Sequence, residues 1–539
     1  MKKHNIIKVV LVTMLIFMLL TWILPAAYYS GEYVDQGRMQ MGLFDLFNYP
    51  LTALSYFGYI ALFIILVGGF YGILYKIPAY RIFLDKIVET MRGSEKIVLS
   101  AFVIINAFIV SICGFQFGLA LFIPFIVSII LLMGYDKMVA AFVTVGSICA
   151  GLIGTTYASS NISILTTSFS LNYDYEIGIR FVILAVSIVL VIFNMLMYIK
   201  KNEAEIKIEK KTIKKAEESV EKVEKVEATV EKKKVTSNKT TAKKTTSKGS
   251  KNSGKSTVSK SKKKNNNKAA LKDENIIVVK ETMVKNDEFV PHPVNIEKTT
   301  LPITIIFGLM YILFILAFIP WGQSGFGVKL FENATKAFQK LRIFGFPLFA
   351  KLFGTINSFG NWTITDMFLP MALVIALLMI IYRVKFDEAF DGFKKGVRVA
   401  LTPASIVLLV YSILVLVTYH PFQLTIYKFI LGWSKGFNVA TTAIVAIFAG
   451  LFNSDATYSF QSIAPYYVSV VNDIKTYATS GIIFQSMYGL TMFIAPTSLV
   501  LMGVLSYLGI SYRSWLKNIW KLLVELFAIL FIIFIILAL

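Results

Sequence analysis

Four short stretches of small polar residues interrupt an otherwise strongly apolar chain, and they are where chemistry could sit. They are Gly114-Phe115-Gln116-Phe117-Gly118, Gly154-Thr155-Thr156-Tyr157-Ala158-Ser159-Ser160-Asn161, Asn453-Ser454-Asp455-Ala456-Thr457-Tyr458-Ser459 and Ala495-Pro496-Thr497-Ser498. Hydroxyl and amide side chains can satisfy backbone groups freed where a helix breaks. They can equally offer oxygens to an ion and donors to a substrate. A helix that starts at such a break presents unpaired N–H groups and a partial positive charge to a carboxylate. The second and third stretches are rich in Ser, Thr and Asn and poor in Lys and Glu, unlike the other loops, so they read as site segments. Gly114–Gly118 reads equally as a surface loop, and Pro496 equally as a simple proline kink. Asp455 is the one acid in these breaks. A carboxylate at membrane depth costs about 2.5–3.5 kcal/mol on insertion scales and marks function by default. The plainer alternative is an interfacial helix cap. Asp366 reads as a helix start, and His420, before Pro421, as interfacial.

Other chemistries find no footing. His4, His292 and His420 are far apart, and Cys113 and Cys149 lie inside apolar runs, so neither a metal-ligand spacing nor a disulfide framework is present. There is no Walker A loop, dinucleotide fingerprint or HExxH motif, and the chain reads as a non-enzyme with no cofactor.

The elements that must position these breaks are membrane helices. Hydrophobic residues make up 56% of the 539 positions and charged ones 16%, too apolar for a soluble domain. Runs long enough to cross a hydrocarbon core, or nearly so, fall at 6–26, 52–75, 97–113, 117–133, 138–153, 177–199, 301–319, 366–382, 401–419, 437–452, 481–510 and 519–539. Shorter apolar pieces at 161–171, 422–433 and 459–471 suit half-helices or re-entrant arms. The first run reads as an uncleaved span rather than a signal peptide. Lys2, Lys3 and Lys8, the basic loops 76–96 and 383–400, and Lys200-Lys201 place the N-terminus and the linker in the cytoplasm. The localisation that follows is a multi-pass cell membrane protein, of a bacterial plasma membrane.

Residues 1–199 and 300–539 form two membrane halves joined by a hydrophilic linker, 200–299. Residues 201–299 hold 26 Lys against 15 acids, half of the net charge of +22. The pattern up to about 235 suits a short exposed helix. From Thr236 to Lys268 the composition cannot bury enough apolar surface to order. The mixed charge and the absence of interleaved aromatics favour a solvated tether over a binder of anionic lipid or RNA through clusters such as Lys262-Lys263-Lys264. Each half has two separated spans, a crowded stretch of spans and broken pieces, and a last span. That pattern suggests a tandem repeat, with its orientation left open.

At these same residues the chain resembles the YfcC/DcuC-type carriers of the ion transporter superfamily, which include anaerobic four-carbon dicarboxylate carriers and arginine/ornithine antiporters. The resemblance covers most of both halves but not 200–299. It rests on Ile23-Leu24-Pro25-Ala26 with Gly31-Glu32-Tyr33, on Val67 to Leu74, on Gly114, Phe117-Gly118 and Pro124-Phe125, on Leu132 to Asp136, on Pro496-Thr497-Ser498 before Leu501-Met502, and on Tyr512 to Lys517. It implies an all-α polytopic membrane protein of two repeats, each with a re-entrant hairpin and a broken helix, working as an elevator-type transporter, usually a homodimer. The residues it carries over are Gly154, Thr156 and Asn161, then Ser454, Gln485, Pro496, Thr497 and Ser498. The chain departs from the family at Leu119-Ala120-Leu121, Ala158-Ser159-Ser160, Asn453 to Tyr458 and Ser486-Met487-Tyr488-Gly489, so substrate and coupling ion do not transfer with it.

The expected function is secondary transport, by symport or antiport, of an amino acid or small carboxylate across the lipid bilayer. The expected substrate ligands are Thr155, Thr156, Asn161, Asn453, Ser454, Asp455, Gln485, Thr497 and Ser498, with Na⁺ or H⁺ as coupling ion. A passive channel and a membrane-anchored interaction protein acting through the linker are the alternatives.

Overall fold

A computed structural model describes residues 5–114, 117–203, 289–292, 299–322, 326–354 and 356–539. The readings of a helix to 235, of disorder and of lysine clusters in the linker lie outside the described residues, as do Phe115 and Gln116. Residues 1–196 and 284–539 belong to one compact unit, and 197–283 to a second.

The apolar runs fold as helices because a helix satisfies its own backbone wherever water is absent. Eight described helices are long and apolar enough to span a membrane. In chain order, those that position the breaks are α1 (Asn5–Ile23), α2 (Asp45–Leu74), α3 (Glu95–Cys113), α4 (Phe117–Leu132), α5 (Lys137–Ile153), α6 (Ser159–Ser168), α7 (Ile177–Glu203), α8 (Leu301–Phe318), α9 (Ile364–Tyr382), α10 (Phe386–Tyr419), α11 (Val439–Phe452), α12 (Ala456–Val471), α13 (Tyr477–Thr491), α14 (Leu499–Leu508) and α15 (Tyr512–Ala538). One antiparallel hairpin, Ala27–Tyr29 (β1) with Tyr33–Asp35 (β2), departs from pure helix. Its turn takes Gly31 at φ +79°, which an L side chain rarely adopts.

One apolar run and one basic segment fold differently from their sequence reading. The run 481–510 is two helices, α13 and α14, parted at 492–498. The basic segment 383–400 is mostly not a loop. From Phe386 it is the start of α10, which continues unbroken to Tyr419. What holds it is a close antiparallel pairing with α2. A Cβ on Gly396 would stand 2.0 Å from the Gly68 carbonyl, and one on Gly72 would stand 2.2 Å from that of Gly392. Farther along, Phe57 stacks on Tyr411 at 4.0 Å and Tyr49 on Tyr419 at 5.8 Å. Small residues let backbones meet where lipid supplies no hydrophobic drive between helices.

This pair defines two ends. At one, His420 lies buried between the Tyr49 hydroxyl and the Met39 carbonyl, at the end of α10. At the other, the Tyr75 and Ser128 hydroxyls both donate to the Phe289 carbonyl, at 2.9 and 2.7 Å. Lys137 and Tyr507 pack on the Phe289 ring. So α4 ends, α5 begins and α14 ends at the Tyr75 end. Tyr466 of α12 meets Tyr29 and Tyr33, and Tyr477 of α13 stacks on Phe169 just after α6, at the His420 end.

It follows that α5 and α6 run from the Tyr75 end to the His420 end, and α13 and α14 run back. The hairpin arm α3 lies parallel to α5, since Gly151 packs on the Ala107 carbonyl and Ser111 bonds Gly154. The α3–α4 hairpin therefore opens at the Tyr75 end. By the same reasoning α11 follows α13, with Gly450 on Thr491, and the α11–α12 hairpin opens at the His420 end. The two hairpin-plus-broken-helix units are inverted, a relation that counting runs leaves open. Asp366 closes a capping box with Thr363 at the start of α9, as its sequence setting predicts.

Candidate functional site

The break between α5 and α6 is held open by its neighbours. Ser111 Oγ donates to the Gly154 carbonyl at 2.6 Å and lies 2.9 Å from Thr156 Oγ1, while the Ser111 carbonyl accepts from the Thr156 N–H at 2.9 Å. Backbone that has left the helix is thus re-satisfied by a polar side chain and backbone of α3. Thr155 Oγ1 donates back to Leu152 at 2.9 Å. Asn161 is buried in the first turn of α6. Gly154 is glycine because α7 runs directly over it, where a Cβ would stand 2.4 Å from Leu184 Cα. Ser111→Ala should lower stability by about 1–3 kcal/mol, because it strips a buried carbonyl of its partner. Thermal unfolding of the detergent-purified protein measures this, and an unchanged midpoint would mean the break is held by other contacts.

Across from this break lies α13, buried along nearly its whole length. Gln485 Nε2 donates to the Thr155 carbonyl at 3.2 Å, and Ser486 Oγ to that of Ile153 at 3.1 Å. Gly489 admits the backbone of Ile153, which a Cβ would meet at 2.3 Å. Three of the residues expected at the site, Thr155, Thr156 and Gln485, are therefore brought into one interlocked cluster.

The second repeat repeats this logic in reverse. Thr497 Oγ1, in the break between α13 and α14, donates to the Leu451 carbonyl at 2.9 Å near the tip of the α11–α12 hairpin. Ser498 Oγ caps α14 by accepting from the Leu501 N–H. The Tyr512 hydroxyl and Trp515 Nε1 donate to the freed carbonyls of Ile494 and Phe493. At the hairpin tip Asn453 Nδ2 donates to Ala449 at 3.0 Å. Asp455 caps α12, accepting from the Tyr458 N–H at 3.0 Å. It is half-buried and close enough to Tyr411 and Tyr488 to interact electrostatically with both. Ser454 Oγ is buried and has no hydrogen-bond partner among the described residues. Thus Asn453, Ser454, Asp455, Thr497 and Ser498 form a second cluster. Tyr488, one turn from Gln485 on α13, is close enough to both Asp455 and Cys149 of α5 to interact electrostatically with them.

A cavity of about 540 Å³ leads to this region from the Tyr75 end. It runs between the α2–α10 pair on one side and α4 and α14 on the other. Lys76, Lys395, Arg398 and His292 line it, with no acid among the described residues of its wall, and it reaches Phe117 at the first hairpin tip and Leu499 next to Ser498. Gly114, at the end of α3, and Gly118, at the start of α4, thus stand on the two arms of a hairpin. Gly114 takes φ +75°, and Gly118 packs where a Cβ would stand 2.1 Å from the Phe318 ring.

Sequence reasoning missed Ser111, Tyr175, Tyr488 and Arg180. Ser111 and Tyr488 are ordinary residues inside apolar runs, Tyr175 lies in the short polar segment 172–176 between two of them, and nothing local sets them apart. Arg180 did carry a signal, as the one cation within the run 177–199. It is fully buried at the start of α7.

The profile of the family described as C4-dicarboxylate anaerobic carrier, DcuC, matches residues 4–243 and 263–539. No curated protein matches the chain.

Proposed function

Since this chain belongs to the C4-dicarboxylate anaerobic carrier family, we propose that it is a secondary transporter moving a small carboxylate by alternating access. The observation that carries this reading is the interlock of two oppositely running broken helices, Thr155 and Ile153 on Gln485 and Ser486. Secondary transporters place their sites at paired breaks of inverted repeats. The basic cavity supports access from the Tyr75 end. Its lysines, with those of the N-terminus, favour the cytoplasm as that side. The glycine-packed α2–α10 pair suits a fixed scaffold against which hairpins and broken helices rise and fall as in an elevator. Asp455 favours a second reading, in which the solute carries an amino group beside its carboxylate or a coupling Na⁺ or H⁺ pairs with that acid.

The test is uptake into proteoliposomes holding the full chain, with labelled succinate, fumarate, arginine and ornithine, under imposed Na⁺ and pH gradients and with internal counter-solute. Accumulation or exchange of a carboxylate is expected. Flux that never exceeds equilibrium under any gradient would point to a channel, and no flux would overturn the reading. Gln485→Leu should cut uptake about tenfold or more, because it leaves the Tyr175 hydroxyl and the Thr155 carbonyl unpaired. Unchanged uptake would remove Gln485 from the site.

A further inference from the structure

Among the described residues, Arg180 is the one charged residue whose burial the function so far leaves without a purpose. Its side chain is fully buried in the first turn of α7. Nη2 donates to the Tyr173 carbonyl at 2.5 Å, and the guanidinium lies 4.5 Å over the Tyr175 ring. Nε and Nη1 make no hydrogen bond of good geometry among the described residues, although the Tyr175 hydroxyl is near enough to interact with the guanidinium. No carboxylate forms an ion pair with Arg180 there either, and Asp174 is the acid close enough to feel its charge. A guanidinium cannot escape the cost of burial by losing its proton. An uncompensated buried charge is strongly destabilising, so it persists where something else pairs with it.

Its surroundings point to the first break. Leu184, one helical turn further along α7, is the residue that packs onto Gly154. The phenol beneath the guanidinium, Tyr175, donates to Gln485 Oε1 at 3.1 Å, and the same amide donates to the Thr155 carbonyl. Tyr157, within the break itself, lies close enough to Arg180 to interact electrostatically. The Tyr175–Gln485 hydrogen-bond chain therefore ties this cation to the break, with Leu184 and Tyr157 beside it, and its open donors match an anion.

We propose that Arg180 is the binding residue for a carboxylate group of the substrate at the α5–α6 break, with Tyr175 and Gln485 holding it in register. This rests on the transporter reading above and deepens it, by assigning the fixed positive charge that selects an anionic solute. The four basic or titratable side chains of the cavity would gather such anions. Arg180 would bind one, since it alone of these is sealed from water beside the break.

The experiment measures succinate counterflow in proteoliposomes for wild type, Arg180→Gln, Arg180→Lys and the exposed control Arg92→Gln, resolving KM from maximal rate. R180Q is expected to raise the succinate KM about tenfold or more, and R180K to recover part of that. R92Q should match wild type. A folded R180Q with unchanged succinate KM overturns the assignment and leaves the transporter reading standing. Wild-type protein that moves no carboxylate overturns both. Should R180Q fail to elute as a single species, R180K decides, because an unchanged KM with charge kept but the planar fork lost also overturns the assignment. A purely structural Arg180 predicts lower thermal stability in R180K with KM unmoved. The binding role predicts a loss of the stabilisation that millimolar succinate gives the wild type.

Discussion

Gly396→Leu is expected to abolish the folded, monodisperse protein, the largest effect any single substitution should have here. A Cβ at this position would stand 2.0 Å from the Gly68 carbonyl oxygen and 3.0 Å from Gly72 Cα, so the clash is with backbone that has no rotamer to change. The pairing is reciprocal, because Gly68, Gly72 and Gly392 meet the opposite chain equally closely. A leucine could be housed only if α2 and α10 moved apart. That would unmake the contact along much of its length, including the Phe57–Tyr411 stack. Inserting methylenes into a well-packed core already costs about 1–3 kcal/mol when side chains can adjust. In lipid the loss is not repaid by a hydrophobic gain elsewhere. Gly308→Ala is the control, since nothing lies within 4 Å of its added Cβ. It should be neutral or slightly stabilising. Size-exclusion profiles and thermal unfolding in detergent compare the two. A G396L protein that elutes and melts like wild type would show that close backbone contact between α2 and α10 is dispensable.

The same glycines show how far the sequence could be read. Depth is legible, because a membrane helix needs about 20 apolar residues and the runs and breaks declare themselves one by one. The four polar breaks all fall at hairpin tips or between half-helices. Partnership is not legible in that way. The first turns of α10 carry Asp387, Glu388, Asp391, Lys394, Lys395 and Arg398, so by charge they resemble a loop. Their helix is decided by Gly392 and Gly396 fitting against Gly72 and Gly68, more than 300 positions away. Likewise Ser111 looks like any polar residue tolerated in an apolar helix, and Gln485 is marked by resemblance alone. Their importance lies in the Gly154 and Thr155 carbonyls they receive, which only the fold brings near. The inversion of the repeats has the same origin. Direction is fixed by which ends touch, at Tyr75 with Phe289 and at His420 with Tyr49. Asp455 is conspicuous in sequence, and the structure shows it as a helix cap and a half-buried acid close enough to two tyrosines of other helices to interact electrostatically.

That double character makes Asp455→Asn the most informative change at the second cluster. Asparagine caps a helix about as well as aspartate. It can keep the acceptor that Asp455 gives the Tyr458 N–H, so the fold and the thermal midpoint should hold. What it removes is the negative charge at the hairpin tip, beside the buried Ser454 Oγ and within reach of Tyr411 and Tyr488. If Asp455 pairs with a coupling cation or a proton, gradient-driven accumulation should fall at least about 30-fold, the loss expected when one partner of a buried charged pair is removed. Counterflow exchange, which needs no net ion movement, should survive, because the cluster at Thr155 and Gln485 is untouched. Asp455→Ala adds the loss of the cap and should lower stability by about 1 kcal/mol as well. Accumulation that persists at the wild-type level in D455N under every Na⁺ and pH gradient would reduce Asp455 to a cap. The coupling would then have to be sought at Ser454 and the α13–α14 break, where neutral oxygens alone could hold an ion.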